Sequence, residues 1–348
     1  MPVTINDVAR EAGVSITTVS RVVNNNYPVK KETREKIERA IKKLGYTPNI
    51  MARGLITKKT SMIGVIVPGI TNLFFPTIVE AIEEKIKSKG YNISLSNTGG
   101  DAELEKEVVN SIISRQVDGI IIIDPRVENI KNDFYEELSS RLPIMIINGL
   151  TYGDKCNFVS YNEKVGTKEA MDYLVSLGHK RIAFVRGHKS YSYDIKEEIY
   201  NETLRENGFT YNEVINVGKG NSIEVVNNTE MMIEKLFNSE VQPTAVFACN
   251  DLMAVGVLNT CSRLNIRVPE DVSVIGCDNT IIASISSPKL TSVDLDMKGI
   301  GNKAAEQLIL IIEELKKERC SVVSDTKLVI RDSCGKVREE KKELREKS

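Results

Sequence analysis

Two apolar runs constrain the fold more than any other feature. Residues 62–67 read MIGVIV and residues 119–124 read GIIIID, without the polar–apolar alternation of a half-exposed strand. Such runs suit strands covered on both faces, as in parallel sheets flanked by helices. Around them the periodicity predicts a helix over 76–89, a strand NISLSN (92–97), a helix over 102–115 and a strand IMIIN (144–148). A second set begins after residue 160, with helices over 163–177, 194–207, 222–237 and 251–264 and strands at 181–185, 214–217, 245–249 and 273–277. The alternation implies two doubly wound α/β lobes. A chain of 348 residues exceeds one compact core, so two or three domains are expected. It contains no apolar run of about 18 residues, which argues against a membrane span. The N-terminus shows no basic segment followed by an apolar one, so a cytoplasmic protein is expected.

Ahead of the lobes stands a segment of different character. Thr4–Asn24, TINDVAREAGVSITTVSRVVN, reads as two short helices. Thr4 is a good N-cap with Asp7 three residues on, and Val8, Ala9 and Ala12 form a small apolar face. Gly13 tolerates the positive φ of a sharp turn, and Ser15 caps a helix from Ile16 to Val23 that turns Val19, Val22 and Val23 inward. Ile16, Thr17 and Arg21 lie near the start of that helix on its outward side. A third helix, KETREKIERAIKKL (31–44), packs Ile37, Ala40, Ile41 and Leu44 under the first two, and Gly45 ends it. The spacing fits the helix–turn–helix geometry that places a second helix in the DNA major groove, and equally an ordinary capped helical hairpin. Charge supports the first: residues 1–60 hold 12 Lys and Arg against 5 Asp and Glu, the remainder 35 against 43. A basic head on an acidic body suits a polyanionic partner.

Three motifs, DVAREAGVSITTVSRVVN, ETREKIERAIKKLGY and PNIMARGL, make residues 4–55 resemble the DNA-binding head of the LacI-type transcription regulators, and the resemblance runs on to about residue 332. It implies that Ile16, Thr17 and Arg21 read bases and that Thr4, Ser15, Asn24 and Tyr46 hold phosphates. It also implies a hinge helix at Ile50–Leu55, too short to be stable alone, that orders on DNA in a dimer. Leu55 would then wedge into the minor groove beside Ala52; the plain alternative for Leu55 is a linker residue. The expected organisation is a head at 1–47, a hinge and linker at 48–60, a core at 61–334 and a charged tail at 335–348 that is solvated or frayed. Family topology divides the core into a first lobe of 61–160 and 291–318 and a second of 161–290 and 319–334. Strand 291–294 and helix 297–317 thus return to the first lobe, and 321–332 to the second. The core resembles periplasmic sugar-binding proteins.

Two such lobes imply a cleft at the carboxyl ends of their strands. Candidates there are Phe74 and Phe75 after the first strand, Asp124 at the end of GIIIID, Tyr191 and Tyr193 after RIAFV, Asn250 and Asp251 after AVFAC, and Asp278 after SVIGC. Carboxylates and amides bond hydroxyls, and aromatic faces cover apolar sugar edges. Asn250 or Asp251 could instead cap the following helix, and one Phe could belong to the core. Two departures from the family stand out. Where sugar-binding relatives carry an Arg–Leu pair, this chain reads YSYDIKEEIYNETL with Lys196 as the nearest cation; where an aromatic is common, it has Gly220. A lysine in place of arginine favours an anionic group as a point charge.

The expected function is a repressor binding a pseudo-palindromic operator as a homodimer, under control of a sugar, sugar phosphate or sugar acid. The alternatives are a solute-binding protein with no DNA role, or control by a phosphorylated carrier protein. No phosphate loop, G-x-S-x-G or metal cluster is present, so no enzyme and no cofactor are expected. His179 reads as a turn residue and His188 as a loop residue near the cleft. The six cysteines lack C-x-x-C spacing and are expected to be reduced, mainly buried thiols. The tail has no leucine heptads that would build a tetramer.

Overall fold

The structure, a computed structural model, describes residues 3–24, 27–47, 59–147, 156–188, 190–315 and 318–338. The chain divides into two units, Met1–Thr60 and Ser61–Ser348. The expected hinge helix, with Ala52 and Leu55, lies outside the described residues, as does the tail beyond residue 338.

The first unit holds α1 (Ile5–Ala12), α2 (Ile16–Asn24) and α3 (Lys31–Leu44). Val8, Ala9, Val19, Val22, Ile37 and Ala40 form its core, and Ile41, Leu44 and Tyr46 pack around it. Gly13 and Gly45 each take φ of 64° to end α1 and α3, a conformation that strains a side-chain-bearing residue.

In the second unit the chain runs β1 (Met62–Val67), α4 (Phe74–Lys87), β2 (Asn92–Asn97), α5 (Ala102–Ser114), β3 (Gly119–Ile123), short α6 (Val127–Lys131) and α7 (Phe134–Ser139), β4 (Ile144–Ile147) and β5 (Asn157–Tyr161). It continues with α8 (Glu163–Ser176), β6 (Ile182–Arg186), α9 (Tyr191–Glu206), β7 (Glu213–Asn216), α10 (Glu224–Phe237), β8 (Ala245–Ala248), α11 (Asp251–Arg263), β9 (Ser273–Asp278), α12 (Ile281–Ile285) and β10 (Thr291–Asp294). Then come α13 (Met297–Ile312), β11 (Ser321–Ser324) and β12 (Lys327–Val329). Among the described residues these strands form two six-stranded sheets, β11-β5-β4-β3-β1-β2 and β12-β10-β9-β8-β6-β7, parallel throughout except for β12 against β10. The runs that read as doubly covered strands are so: Ile63 and Val65–Val67 of β1 and Ile120–Ile123 of β3 are at most 1% exposed.

Two lobe assignments need correction. Strand 291–294 does not return to the first lobe. It is β10 and pairs in parallel with β9, Thr291 beside Ile275 and Val293 beside Cys277. The short helix α12 makes a crossover that sets β10 next to β9, where Thr291 and Ser292 are fully buried. Strand 321–324 does not belong to the second lobe. It is β11, an edge strand on β5, with Val322 beside Val159. The chain therefore crosses between lobes after β5, after β10 and between β11 and β12. Helix α13 does pack on the first lobe, where Gly301 lets it approach α4: a Cβ there would stand 2.7 Å from the Ile78 carbonyl oxygen.

The tail also begins later than expected. The Val337 amide donates to the Leu177 carbonyl at 3.0 Å, and the Gly335 carbonyl accepts from the buried His179 ring at 3.0 Å. His179 is thus a structural tie, with its second nitrogen 3.0 Å from the Thr244 hydroxyl. Behind the first lobe, buried Glu105 of α5 anchors α6 and α7, accepting from Tyr135 Oη at 2.6 Å, Asn129 Nδ2 at 2.8 Å and the Arg126 amide.

Candidate functional site

On the head, the N-terminal outward face of α2 presents Ile16, half exposed, with Thr17 and Arg21 exposed. Ser15 Oγ accepts the Thr18 amide at 3.2 Å and meets Thr18 Oγ1 at 2.8 Å, which fixes the start of the helix. Thr4 donates its amide and hydroxyl to one Asp7 carboxylate oxygen at 2.9 and 2.7 Å, and these bonds hold the Asp7 carboxyl below its ordinary pKa. Asn24 Nδ2 donates to Ser20 Oγ at 3.1 Å, and Tyr46 is half buried against α3. Tyr27, which the sequence did not single out, lies under Arg21, whose guanidinium carbon is 4.9 Å from the ring centroid. A loop aromatic next to a nearby Arg carries no sequence signature of that contact.

In the second unit, the carboxyl ends of both sheets enclose a small cavity of about 30 Å³. The first lobe contributes Asn72, Phe74, Phe75, Asp124 and Tyr161; the second contributes Ser190, Ser192, Tyr193, Lys196, Asn221, Cys249, Asn250 and Asp278. Phe75 is 1% exposed and belongs to the core, while Phe74 stands edge-on between it and Tyr161, with centroids at 5.1 and 6.0 Å. Asp124 and Asp278, just past β3 and at the end of β9, take φ of 49° and 102°. Left-handed backbone in non-glycine residues clusters at ligand sites. Asn72 of the first lobe, whose Oδ1 accepts the Phe74 amide at 3.1 Å, shares the cavity wall with Asp278 of the second.

Of the other candidates, Asn250 caps α11, accepting the Met253 amide at 2.9 Å, and donates to the Gly220 carbonyl at 2.9 Å. Asp251 is not on the lining. One carboxylate oxygen accepts the Thr280 amide and hydroxyl at 2.7 and 2.8 Å, and the other accepts Ser292 Oγ at 2.6 Å. Its role is to tie α11 to β9 and β10, which corrects its reading as a ligand contact. Tyr191 is 37% exposed at the start of α9 and is also off the lining. His188 is exposed, 3.4 Å from Asn216 Oδ1, and does not line the cavity. All six cysteines are free thiols, with Cys249 on the cavity wall.

Tyr193 accounts for Gly220. A Cβ at Gly220 would collide with the Tyr193 hydroxyl, and one at Gly187 would stand 2.6 Å from Tyr193 Cε2. The ring therefore occupies the place left by two glycines, and its hydroxyl donates to Asn221 Oδ1 at 3.1 Å. Lys196, fully buried, donates to Ser192 Oγ at 2.7 Å and lies 3.5 Å from Glu163 Oε1. Burial alone would lower its pKa, yet neighbouring Cys277 and Glu163 raise it overall. Burial also pushes the Cys277 thiol far up. Burial and the charge of Asp251 push the Asp278 carboxyl well above the carboxylate range, and burial raises Asp251 to about 6 against its three hydrogen bonds. Asn72, Tyr161, Glu163, Ser192 and Asn221 were missed by sequence reasoning; Tyr161 and Glu163 flank a crossover that followed an unrecognised strand.

A three-helix head with an exposed, capped second helix, followed by two parallel-sheet lobes closing on a polar and aromatic cavity, defines a class of DNA-binding regulators with a periplasmic-binding-type core. The chain belongs to the LacI family of bacterial transcription regulators. Residues 4–49 match the model of bacterial regulatory proteins of the lacI family, and residues 171–334 match the periplasmic binding protein-like domain. The chain is 36% identical over 321 residues to catabolite control protein A of Priestia megaterium, covering 91% of this chain and 94% of that protein. It is 33% identical to the HTH-type transcriptional repressor PurR of Vibrio vulnificus (strain CMCP6), covering 96% and 99%. Among solved structures it is similar to the lac repressor dimer bound to operator and an anti-inducer, with 27% identity, a TM-score of 0.83, and coverage of 96% of this chain and 100% of that one. The relatives are transcription regulators, and no described helix is long and apolar enough to cross a membrane.

Proposed function

We propose that the chain is a repressor that binds a pseudo-palindromic operator as a homodimer and is switched by a small polar molecule held between the lobes. The observation that carries this reading is the capped α2 with Ile16, Thr17 and Arg21 on its exposed face. Those three side chains read base edges, while Thr4, Ser15, Asn24 and Tyr46 hold phosphates and set register. Two-fold symmetry of the protein dictates two-fold symmetry of the site. Ala52 and Leu55 enter only through the family resemblance, as minor-groove contacts. In the cleft, Phe74, Asp124, Tyr161, Tyr193, Lys196, Asn250 and Asp278 come from both lobes, so a molecule that touches both favours one lobe arrangement over others. That preference is what makes cleft occupancy and DNA affinity reciprocal.

The test is selection of full-length protein against a random duplex pool, with and without a panel of sugars, sugar phosphates, sugar acids and amines. Recovery of a palindrome and a shift of its affinity by one compound is the expected result. Absence of any sequence preference overturns the reading and returns the solute-binding alternative. A palindrome that answers to no compound overturns the small-molecule switch alone.

A further inference from the structure

Three cations of the head are paired with carboxylates of the head itself: Arg10 with Asp7 at 3.6 Å, Arg34 with Glu38 at 3.9 Å and Lys43 with Glu11 at 2.7 Å. Arg21, on the exposed face of α2, is held differently. Its guanidinium carbon lies over the Tyr27 ring, 4.9 Å from the centroid, and among the described residues no carboxylate pairs with it. A carboxylate would neutralise the guanidinium and would have to be displaced before Arg21 met DNA. An aromatic ring attracts the cation through its quadrupole, without neutralising it and without an acceptor oxygen to occupy its N–H groups. Tyr27 itself is 62% exposed. Val23 and Val29, on either side of it in the chain, pack against the core of the head, and the Tyr27 ring does not. Pro28 follows, and a residue before proline has a narrowed choice of backbone conformation. The ring is therefore not there to fill the core. It stands on a loop braced from both sides, and the side chain it meets is Arg21.

Building on the reading of α2 as the operator-reading helix, we propose that Tyr27 is a positioning residue for Arg21: its ring restrains the guanidinium before DNA arrives and sharpens the choice of the base pair that Arg21 reads. Fixing a free arginine on a base edge costs side-chain entropy. A ring that already limits the rotamers of Arg21 lowers that cost. The gain falls to the base whose edge suits the held geometry, as guanine O6 and N7 accept a fork of two N–H groups. A base pair without that acceptor pair gains nothing from the restraint. Attraction to phosphates depends on charge, which the ring leaves in place. Tyr27 thus adds to discrimination and not to general affinity, and it acts through Arg21 without touching a base itself.

The test is a double-mutant cycle on the full-length protein, with Tyr27→Ala, Tyr27→Phe, Arg21→Ala and the Arg21→Ala/Tyr27→Ala pair, each checked for an unchanged melting profile. Fluorescence anisotropy titrations measure binding to the selected operator and to a scrambled duplex. Tyr27→Ala is expected to weaken operator binding by about 5- to 30-fold, because each half-site then bears the ordering of one long side chain that the ring had held. Binding to the scrambled duplex is expected to stay within about twofold, as is operator binding by Tyr27→Phe, which keeps the ring. In the Arg21→Ala background the loss of Tyr27 is expected to add less than about twofold. Selection with Tyr27→Ala is expected to relax the same position of each half-site that Arg21→Ala relaxes. A full loss that persists without Arg21 overturns the inference and makes Tyr27 a DNA contact in its own right. Tyr27→Phe as weak as Tyr27→Ala overturns it in favour of a hydroxyl contact, and equal losses on operator and scrambled duplex overturn it in favour of a general role. Operator binding by Tyr27→Ala within about twofold of wild type also overturns it, and the operator reading stands in each of these cases. Wild-type protein that selects no palindrome brings down the operator reading and the inference together.

Discussion

Replacing Asp251 by alanine isolates the clamp that positions the second lobe's half of the cleft. Asp251 is 1% exposed, and its carboxylate receives three hydrogen bonds of 2.6 to 2.8 Å from Thr280 and Ser292. Thr280 follows β9 and Ser292 lies on β10, so the substitution unties α11 from the β9–β10 connection. Hydrogen bonds to charged groups contribute about 1.5–3 kcal/mol each, and a buried donor left without a partner costs about 1–3 kcal/mol. The Thr280 and Ser292 hydroxyls can rotate toward other acceptors, but the Thr280 amide cannot. Counting the amide in full and the hydroxyls in part gives a loss of about 3–5 kcal/mol, the range of a broken buried network. Urea unfolding of wild type and Asp251→Ala at pH 7.5, followed by circular dichroism, measures it. An unchanged slope with a midpoint shift worth less than about 1 kcal/mol would refute the clamp and reinstate Asp251 as a group held for ligand.

Arg21→Ala is expected to weaken binding to the selected operator by about 5- to 150-fold, the equivalent of 1–3 kcal/mol, with the melting temperature unchanged; a gel-shift titration against operator and scrambled duplex decides it. Tyr135→Phe removes the 2.6 Å donor from buried Glu105 and is expected to destabilise the first lobe by about 1–3 kcal/mol in urea unfolding, without altering DNA specificity. The pH dependence has a definite sign. Burial and mutual repulsion raise the Asp251–Asp278 pair above the free carboxylate range, so the folded state holds a proton more tightly than the unfolded chain. The stability this contributes is present at acid pH and is lost as pH rises through the raised value, about 6 for Asp251. Asp278→Asn is expected to flatten that slope between pH 4.5 and 7.5 in urea titrations; an unchanged slope would assign it to other groups.

Much of the architecture is legible in the sequence, for physical reasons that differ from element to element. MIGVIV and GIIII betray strands buried on both faces, and Gly13, Ser15 and the valines of α2 betray a capped helix on a small core. The strand NFVSY is only partly covered and has no such run. Helices α6, α7 and α12 are five or six residues long, too short for periodicity to register. Which sheet a strand joins is not written in its own residues, so the pairing of β10 with β9 and of β11 with β5 is visible only in the fold. In the cleft, Asp251 and Asp278 look alike as acids at strand ends. What separates them is Thr280 and Ser292, 29 and 41 residues from Asp251, which only the fold brings to it. Gly220 stands where relatives carry an aromatic, and Tyr193 fills the space a side chain there would need. The partner of Lys196, Glu163, is not legible because it follows a strand that has no apolar run.

Hydroxyl-radical footprinting of full-length protein on its selected duplex tests the central claim most directly. Two protected half-sites related by a dyad, centred one helical turn or a multiple of it apart, are the expected pattern, and Arg21→Ala should shift protection of both together to higher protein concentration. A single asymmetric footprint, or uniform protection that ignores sequence, would contradict an operator-reading dimer built on α2.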